Sequence, residues 1–113
     1  MAFTIKQQDN VGVLTLKGRI LGSIEGPKIK EGVLALRDAG QTNLVVDLSK
    51  ATFMDSTTIG SLISILKIMR EADGDVRLAG MDKKLKNIFL MTKLLGNVFE
   101  NHDSVEEAAQ SFK

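Results

Sequence analysis

The central part of the sequence joins a short apolar run to a longer apolar repeat with helical spacing. Residues 44–48 are rich in β-branched and other apolar side chains and are typical of a buried strand. From Ile59 to Met69, apolar residues recur three or four positions apart, which predicts a largely buried helix. A strand that leads into a packed helix needs a crossover to reach the next strand, so neighbouring strands should run parallel. This unit favours an α/β fold.

The remaining segments continue the alternation of strands and helices. Their apolar periods, turn residues and caps predict strands at residues 3–6, 11–16 and 76–79, and helices at 27–40, at 85–92 and from Ser104 onward. A polar turn, Gln8-Asp9-Asn10, separates the first two strands as an antiparallel hairpin. The predicted order is β-β-α-β-α-β-α-α. It corresponds to a mixed four-stranded sheet with about four helices, in a single domain over residues 1–113.

The boundaries of these elements rest on a few punctuating residues. Pro27 is expected in the first turn of a helix, after a loop at residues 18–26, and Gly40 is expected at its left-handed end. Residues 49–55 are predicted as a second loop. The third helix should end near Gly96, with Val98-Phe99 as a short extended segment, and Ser104 with Glu107 matches a capping box.

Composition excludes several classes of function. The chain has 15 basic and 14 acidic residues, a net charge of +1, and neither Tyr nor Trp, so nothing indicates binding to nucleic acid or insertion into a membrane. It has no Cys, and its one histidine, His102, excludes any mechanism that needs two. No apolar run approaches the length of a membrane span. We therefore expect a cytoplasmic, non-catalytic protein without a cofactor.

Four polar residues stand in succession where the loop at residues 49–55 meets the second helix: Asp55, Ser56, Thr57 and Thr58. An Asp or Ser at this point can cap the helix, because its side-chain oxygen accepts a hydrogen bond from a free backbone N–H of the first turn. One cap explains one such residue and leaves the other three unexplained. Ser56 is therefore either a plain cap or a residue with a separate role.

The residues around this junction resemble a known family. Asp47-Leu48-Ser49 precedes Met54-Asp55-Ser56, with Ile59-Gly60 shortly after, and Leu16-Lys17-Gly18-Arg19 and Val76-Arg77-Leu78-Ala79-Gly80 match in kind. Together they resemble the STAS domain and, within it, the anti-sigma factor antagonists. The resemblance covers nearly the whole chain.

The resemblance implies a partner-switching role. In that family, an anti-sigma factor that is also a serine kinase phosphorylates the serine after the aspartate. The dephosphorylated antagonist binds this kinase and frees the sigma factor, and a PP2C-type phosphatase resets the system. Carried over to this chain, the phosphoacceptor is Ser56, with Thr57 or Thr58 as an alternative acceptor. The partner-binding residues would be Asp55, Thr57, Thr58, Ile59 and Gly60, together with Leu21, Gly22 and Ser23.

The resemblance also leaves a second function open. A STAS domain can serve as a scaffold or accessory subunit of a signalling complex or transporter, in which Ser56 is never modified.

Two departures from the family pattern bear on the partner. The family often has acidic residues where this chain has Arg19 and Leu21, and commonly has Gly where this chain has Thr58. A different partner and a stiffer, bulkier helix start are the expected consequences.

Overall fold

A computed structural model describes residues 3–8, 10–95 and 98–112 of the chain. In chain order, its strands and helices are β1 (Phe3–Gln8), β2 (Val11–Ile20), α1 (Gly22–Asp38), β3 (Asn43–Met54), α2 (Ser56–Glu71), β4 (Asp75–Ala79), α3 (Lys83–Met91), β5 (Asn101–His102) and α4 (Val105–Gln110). The strands lie side by side in the order β1-β2-β3-β4-β5. β1 is antiparallel to β2, and all other neighbours are parallel. The expected α/β fold with a mixed sheet is confirmed.

The sheet has five strands among the described residues, so the prediction of four strands is wrong by one. β5 contains only two residues, which is too short for an alternating pattern to be visible in the sequence. Its place depends on backbone hydrogen bonds to β4: Leu78 N donates to Glu100 O at 2.9 Å, and Gly80 N donates to His102 O at 2.9 Å. The expected extended segment at Val98-Phe99 contributes a single bridge, between Leu95 and Phe99.

Strands β2 and β3 are longer than the sequence indicates. β3 takes the place of the loop predicted at residues 49–55 up to Met54, whereas the loop predicted at residues 18–26 is divided between the end of β2 and the start of α1. β2 continues to Ile20 and β3 to Met54, and these two terminal residues pair with each other. Gly18 supports the extension, because its φ of +69° accompanies an irregularity in the strand register. The two extensions stabilise each other by pairing, which the local sequence of either segment does not reveal.

Helix ends agree with the sequence in some places and differ in others. Gly40, at φ +90°, follows the end of α1 as expected, and Ser104 accepts a hydrogen bond from Glu107 N at 3.1 Å at the start of α4. Helix α3 ends at Met91, before the predicted end near Gly96, which lies outside the described residues. In the predicted hairpin turn, Asn10 has a φ of +71°, and Asp9 lies outside the described residues.

The core lies mainly on one face of the sheet. Alternate residues of β3, such as Leu44 and Val46, join buried side chains of α1, α2 and α3 in a single cluster. Val45, between them, points to the opposite face, where it packs with Ala79 and Ala108 under α4. Helix α4 is the described helix that packs in this second cluster. None of the described helices is long and apolar enough to cross a bilayer.

Candidate functional site

Helix α2 begins directly after β3, with Asp55 between them as the N-cap. The backbone of Asp55 is extended, and its Oδ1 accepts a hydrogen bond from Thr58 N at 2.8 Å. This is the usual way in which an aspartate satisfies a free N–H in the first turn of a helix. The polar junction identified in the sequence therefore contains a true cap, and the cap is Asp55.

The same carboxylate also holds the start of α1. Gly22 N donates to Asp55 Oδ1 at 3.0 Å and lies 3.3 Å from Oδ2. Leu21, at the N-cap position of α1, offers no side-chain hydrogen bond of its own. Because the cap comes from a residue 33 positions away, α1 begins at Gly22 and Pro27 lies in its second turn. The predicted helix start at Pro27 is therefore wrong.

The starts of the two helices are in direct contact. A Cβ placed on Gly22 would lie 2.4 Å from Thr58 N and 2.5 Å from the carbonyl carbon of Thr57, both of them backbone atoms of α2. These separations are too short for non-bonded atoms, so the contact requires a residue without a side chain. Gly22 is buried here, as the close packing demands.

Thr58 lies beneath this junction. Its side chain is 1% exposed, and its Oγ1 is 2.7 Å from Asp55 Oδ1 and 3.1 Å from Ile20 O. A hydroxyl carries one proton, so Oγ1 donates to either acceptor. The residue that replaces the family's usual glycine therefore points into the protein. It lies beneath the surface formed by the first turns of α1 and α2, so its side chain is not part of that surface.

Asp55 is held in its ionised form. The hydrogen bond from the Thr58 hydroxyl, followed by those from Thr58 N–H and Gly22 N–H, lowers the pKa of the Asp55 carboxyl below its ordinary value. The first turn of α2 contains no other acidic residue. The helix start therefore carries one fixed negative charge, directly beside Ser56.

Ser56 is the first residue of α2, and its side chain is exposed. Within the described part of the chain, its hydroxyl is tied to no hydrogen-bond partner, whereas Asp55 makes the capping bond. The interpretation of Ser56 as a plain cap is therefore wrong. The structure leaves this hydroxyl exposed at the first residue of the helix.

The other predicted partner-binding residues gather in the same place, around the first turns of α1 and α2. Ser23, Thr57 and Gly60 are exposed, whereas Leu21 and Ile59 are half-buried. Gly60 has open space around it, since a Cβ built there would meet no atom within 4 Å. Gly60 therefore lies on the outer surface of α2 and does not serve close packing.

One feature of this region was not identified as part of the site. Arg19 and Phe53 are paired across the ends of β2 and β3, and the Arg19 guanidinium carbon lies 4.8 Å from the centre of the Phe53 ring. Phe53 is 38% exposed and is one of four large apolar residues that are exposed in the described part of the chain. Its position three residues before Ser56 was the available signal.

Among the described residues, no group of three or more His, Asp or Glu side chains is placed to hold a metal ion.

Comparison with known proteins agrees with this architecture. Anti-sigma-B factor antagonists of Staphylococcus epidermidis and Staphylococcus aureus are 26% identical to the chain over 68 residues. That alignment covers 60% of this chain and 63% of theirs, so the similarity spans less than two thirds of these relatives.

Solved structures resemble the chain over nearly its whole length. An anti-sigma factor antagonist from Mycobacterium paratuberculosis superposes with a TM-score of 0.82 at 18% identity, covering 97% of this chain and 92% of its own. The phosphorylated form of the Bacillus cell fate determinant SpoIIAA superposes with a TM-score of 0.76 at 18% identity, covering 99% of this chain and 100% of its own. The sequence model of the STAS domain matches residues 2–108. The chain belongs to the STAS domain family.

Proposed function

We propose that the protein is an anti-sigma factor antagonist that works by partner switching. Its dephosphorylated form binds an anti-sigma factor that is also a serine kinase, and this releases the sigma factor. Phosphorylation of Ser56 blocks the binding, and a PP2C-type phosphatase restores it. The protein acts in the cytoplasm as a binding module and carries out no catalysis itself.

The observation that carries the proposal is that two neighbouring residues at the start of α2, Asp55 and Ser56, have different roles. Asp55 makes the capping hydrogen bond, so the neighbouring hydroxyl of Ser56 is exposed and has no structural task. An acceptor of this kind suits a kinase, which must reach the hydroxyl without unfolding the helix. The relatives named as anti-sigma factor antagonists support the same role, and SpoIIAA, which has this fold, has been determined in a phosphorylated form.

A phosphate at Ser56 would change the surface and leave the fold intact. The group adds a charge of about −1.5 to −2 at neutral pH. The N-terminus of a helix favours an anion, because its free N–H groups and dipole are positive. The modification therefore acts on the partner, through repulsion and through the cost of desolvating a doubly charged group next to ionised Asp55. A loss of about 2.7 kcal/mol weakens binding roughly 100-fold.

The acceptor can be tested by intact-mass analysis after incubation with ATP and the anti-sigma factor kinase from the same organism. The expected result is the addition of one phosphate, mapped to Ser56. The T57A variant should be modified like the natural chain, whereas the S56A variant should not be modified. Absence of the phosphate with an active kinase would overturn the switch and favour the unmodified scaffold or accessory subunit.

Binding to the same kinase provides the second test. S56D should stay folded and bind about 100-fold more weakly, and S56A should bind whether or not ATP is present. Ser64 is an exposed serine farther along α2, so S64D places the same charge on the same helix as a matched control and should bind normally. If S56D unfolds, or if S64D weakens binding equally, the proposed surface mechanism is wrong.

A further inference from the structure

The ends of β2 and β3 carry a cluster of cations on the sheet face opposite the main core. Leu16 and Ala51 belong to that core, so their strand neighbours Lys17 and Lys50 point to the other face. Arg19 and Phe53 precede the inward-pointing residues at the ends of the same two strands and face the same way. We call Lys17, Arg19, Lys50 and Phe53 the basic patch; all four side chains are exposed.

Among the described residues, the cations of the basic patch are not paired with an acidic side chain. Lys17 and Lys50 are directly opposite each other on neighbouring strands, an arrangement in which like charges destabilise a sheet. In the described part of the chain, ion pairs involve Arg37, Arg70 and Arg77, and none involves a cation of the patch. Arg19 stacks on Phe53 instead. An uncompensated cluster beside an exposed aromatic ring is suited to an anionic binding partner.

The acidic residues nearby do not neutralise the patch. Asp47 is the closest along β3, and its Oδ1 accepts a hydrogen bond from its own strand, from Ser49 N at 3.0 Å. With Asp103 and Glu106 it lines a hollow beside α4. These carboxylates, with Asp55 on the other side, would repel a continuous phosphate backbone or an anionic membrane. A partner with a short acidic segment avoids this repulsion.

We propose that the basic patch binds an acidic segment of the protein that docks at Ser56. This inference rests on the proposed function and identifies the chemistry of the partner. Phe53 lies three residues before Ser56, which places the two within about 10 Å along the chain. An interface of ordinary size covers both. The patch attracts the acidic segment, while phosphate on Ser56 acts on the part of the partner that covers the start of α2. Two regions of one interface therefore respond to the two charges.

A defined peptide tests the patch without any kinase. The ¹⁵N-labelled protein is titrated with hexaglutamate, with hexaserine as the uncharged control. The expected result is a salt-sensitive set of NMR shift changes at the ends of β2 and β3 with hexaglutamate only. Duplex DNA and vesicles that contain anionic lipid form two further arms. Tighter binding of either one at the patch would overturn the proposal.

Two matched double variants locate the effect. K17Q/K50Q removes two cations of the patch and also relieves their mutual repulsion, so it should fold normally and bind hexaglutamate roughly tenfold more weakly. K83Q/K84Q removes two exposed lysines of α3 and should bind like the natural chain. Equal loss in both variants, or none in the first, would refute the patch. Because phosphorylation of Ser56 is measured separately, either proposal can fail alone.

Discussion

The two sides of the first turn of α2 differ in almost every physical respect. On the inner side, Asp55, Thr58 and Gly22 share hydrogen bonds and direct packing, and the Thr58 hydroxyl is buried. On the outer side, Ser56 and Gly60 are exposed. Two hydroxyls that are neighbours in the sequence motif thus have opposite environments. The comparison teaches that rigidity and chemical access are assigned to different residues, so a modification outside need not disturb the structure inside.

The largest expected effect comes from breaking the inner side at Gly22. G22A would place a Cβ against the backbone of α2, where no side-chain movement can relieve the clash. We expect a loss of about 3 kcal/mol in the free energy of unfolding. Urea denaturation followed by circular dichroism measures this loss. A G22A variant as stable as the natural chain would show that the starts of the two helices separate readily.

Removal of the Thr58 hydroxyl should have the next largest effect. T58V keeps the shape of the side chain but leaves Asp55 Oδ1 and Ile20 O without this donor in a buried place. The expected loss is about 2 kcal/mol in the free energy of unfolding. T57V, at the exposed neighbour, is the matched control and should change stability by no more than about 0.5 kcal/mol. Equal losses would contradict the contrast between the two sides.

Acid should lower the free energy of unfolding by a smaller amount than these substitutions, because Asp55 is half-exposed and partly screened by water. Its pKa is lowered in the folded state, so the unfolded state binds more protons and stability rises with pH in this range. The contribution of Asp55 is complete above its unfolded pKa of about 3.9 and is lost as the pH falls through the folded value.

Urea midpoints measured from about pH 5 down to pH 2 should therefore fall less steeply in D55N than in the natural chain. S56A serves as the control for this measurement and should follow the natural chain at every pH. If D55N and the natural chain have the same slope, Asp55 does not contribute to the acid dependence.

The smallest expected effect is a gain in stability, at a glycine on the exposed side of α2. Gly60 lies in a helix with open space around it, so G60A should add about 1 kcal/mol to the free energy of unfolding. A loss of stability in G22A and a gain in G60A would distinguish a glycine that close packing requires from one that it does not require. A destabilised G60A would mean that its surroundings are tighter than the structure indicates.

The sequence predicted those parts of the fold that depend on local interactions. The helix α2, the core of β3 and the cap at Ser104 all follow from apolar spacing or from residues three positions apart. The ends of β2 and β3 depend on each other, and β5 depends on β4, so no local pattern revealed them. The start of α1 depends on a carboxylate that is distant in the chain.

For the candidate site, the motif identified the neighbourhood but not the orientation of its members. All four residues at positions 55–58 have side chains that can cap a helix. The serine and the two threonines also have a hydroxyl that can accept a phosphate. Only the packing of α1 against α2 determines that Thr58 faces inward and that Ser56 faces outward. The exposure of Phe53 likewise depends on how much of its sheet face α4 covers, since this helix packs against Val45 and Ala79 and leaves Phe53 exposed.

The single carboxylate that caps both helices has a consequence for the entropy lost when another protein binds there. Because Asp55 joins the first turns of α1 and α2, a protein that touches both meets a preassembled shape. Little ordering entropy is then lost on association, so affinity need not come from a large, slowly released interface. Under the proposed function, such a preassembled surface lets one binding protein be released and another bound when a single charge is added or removed.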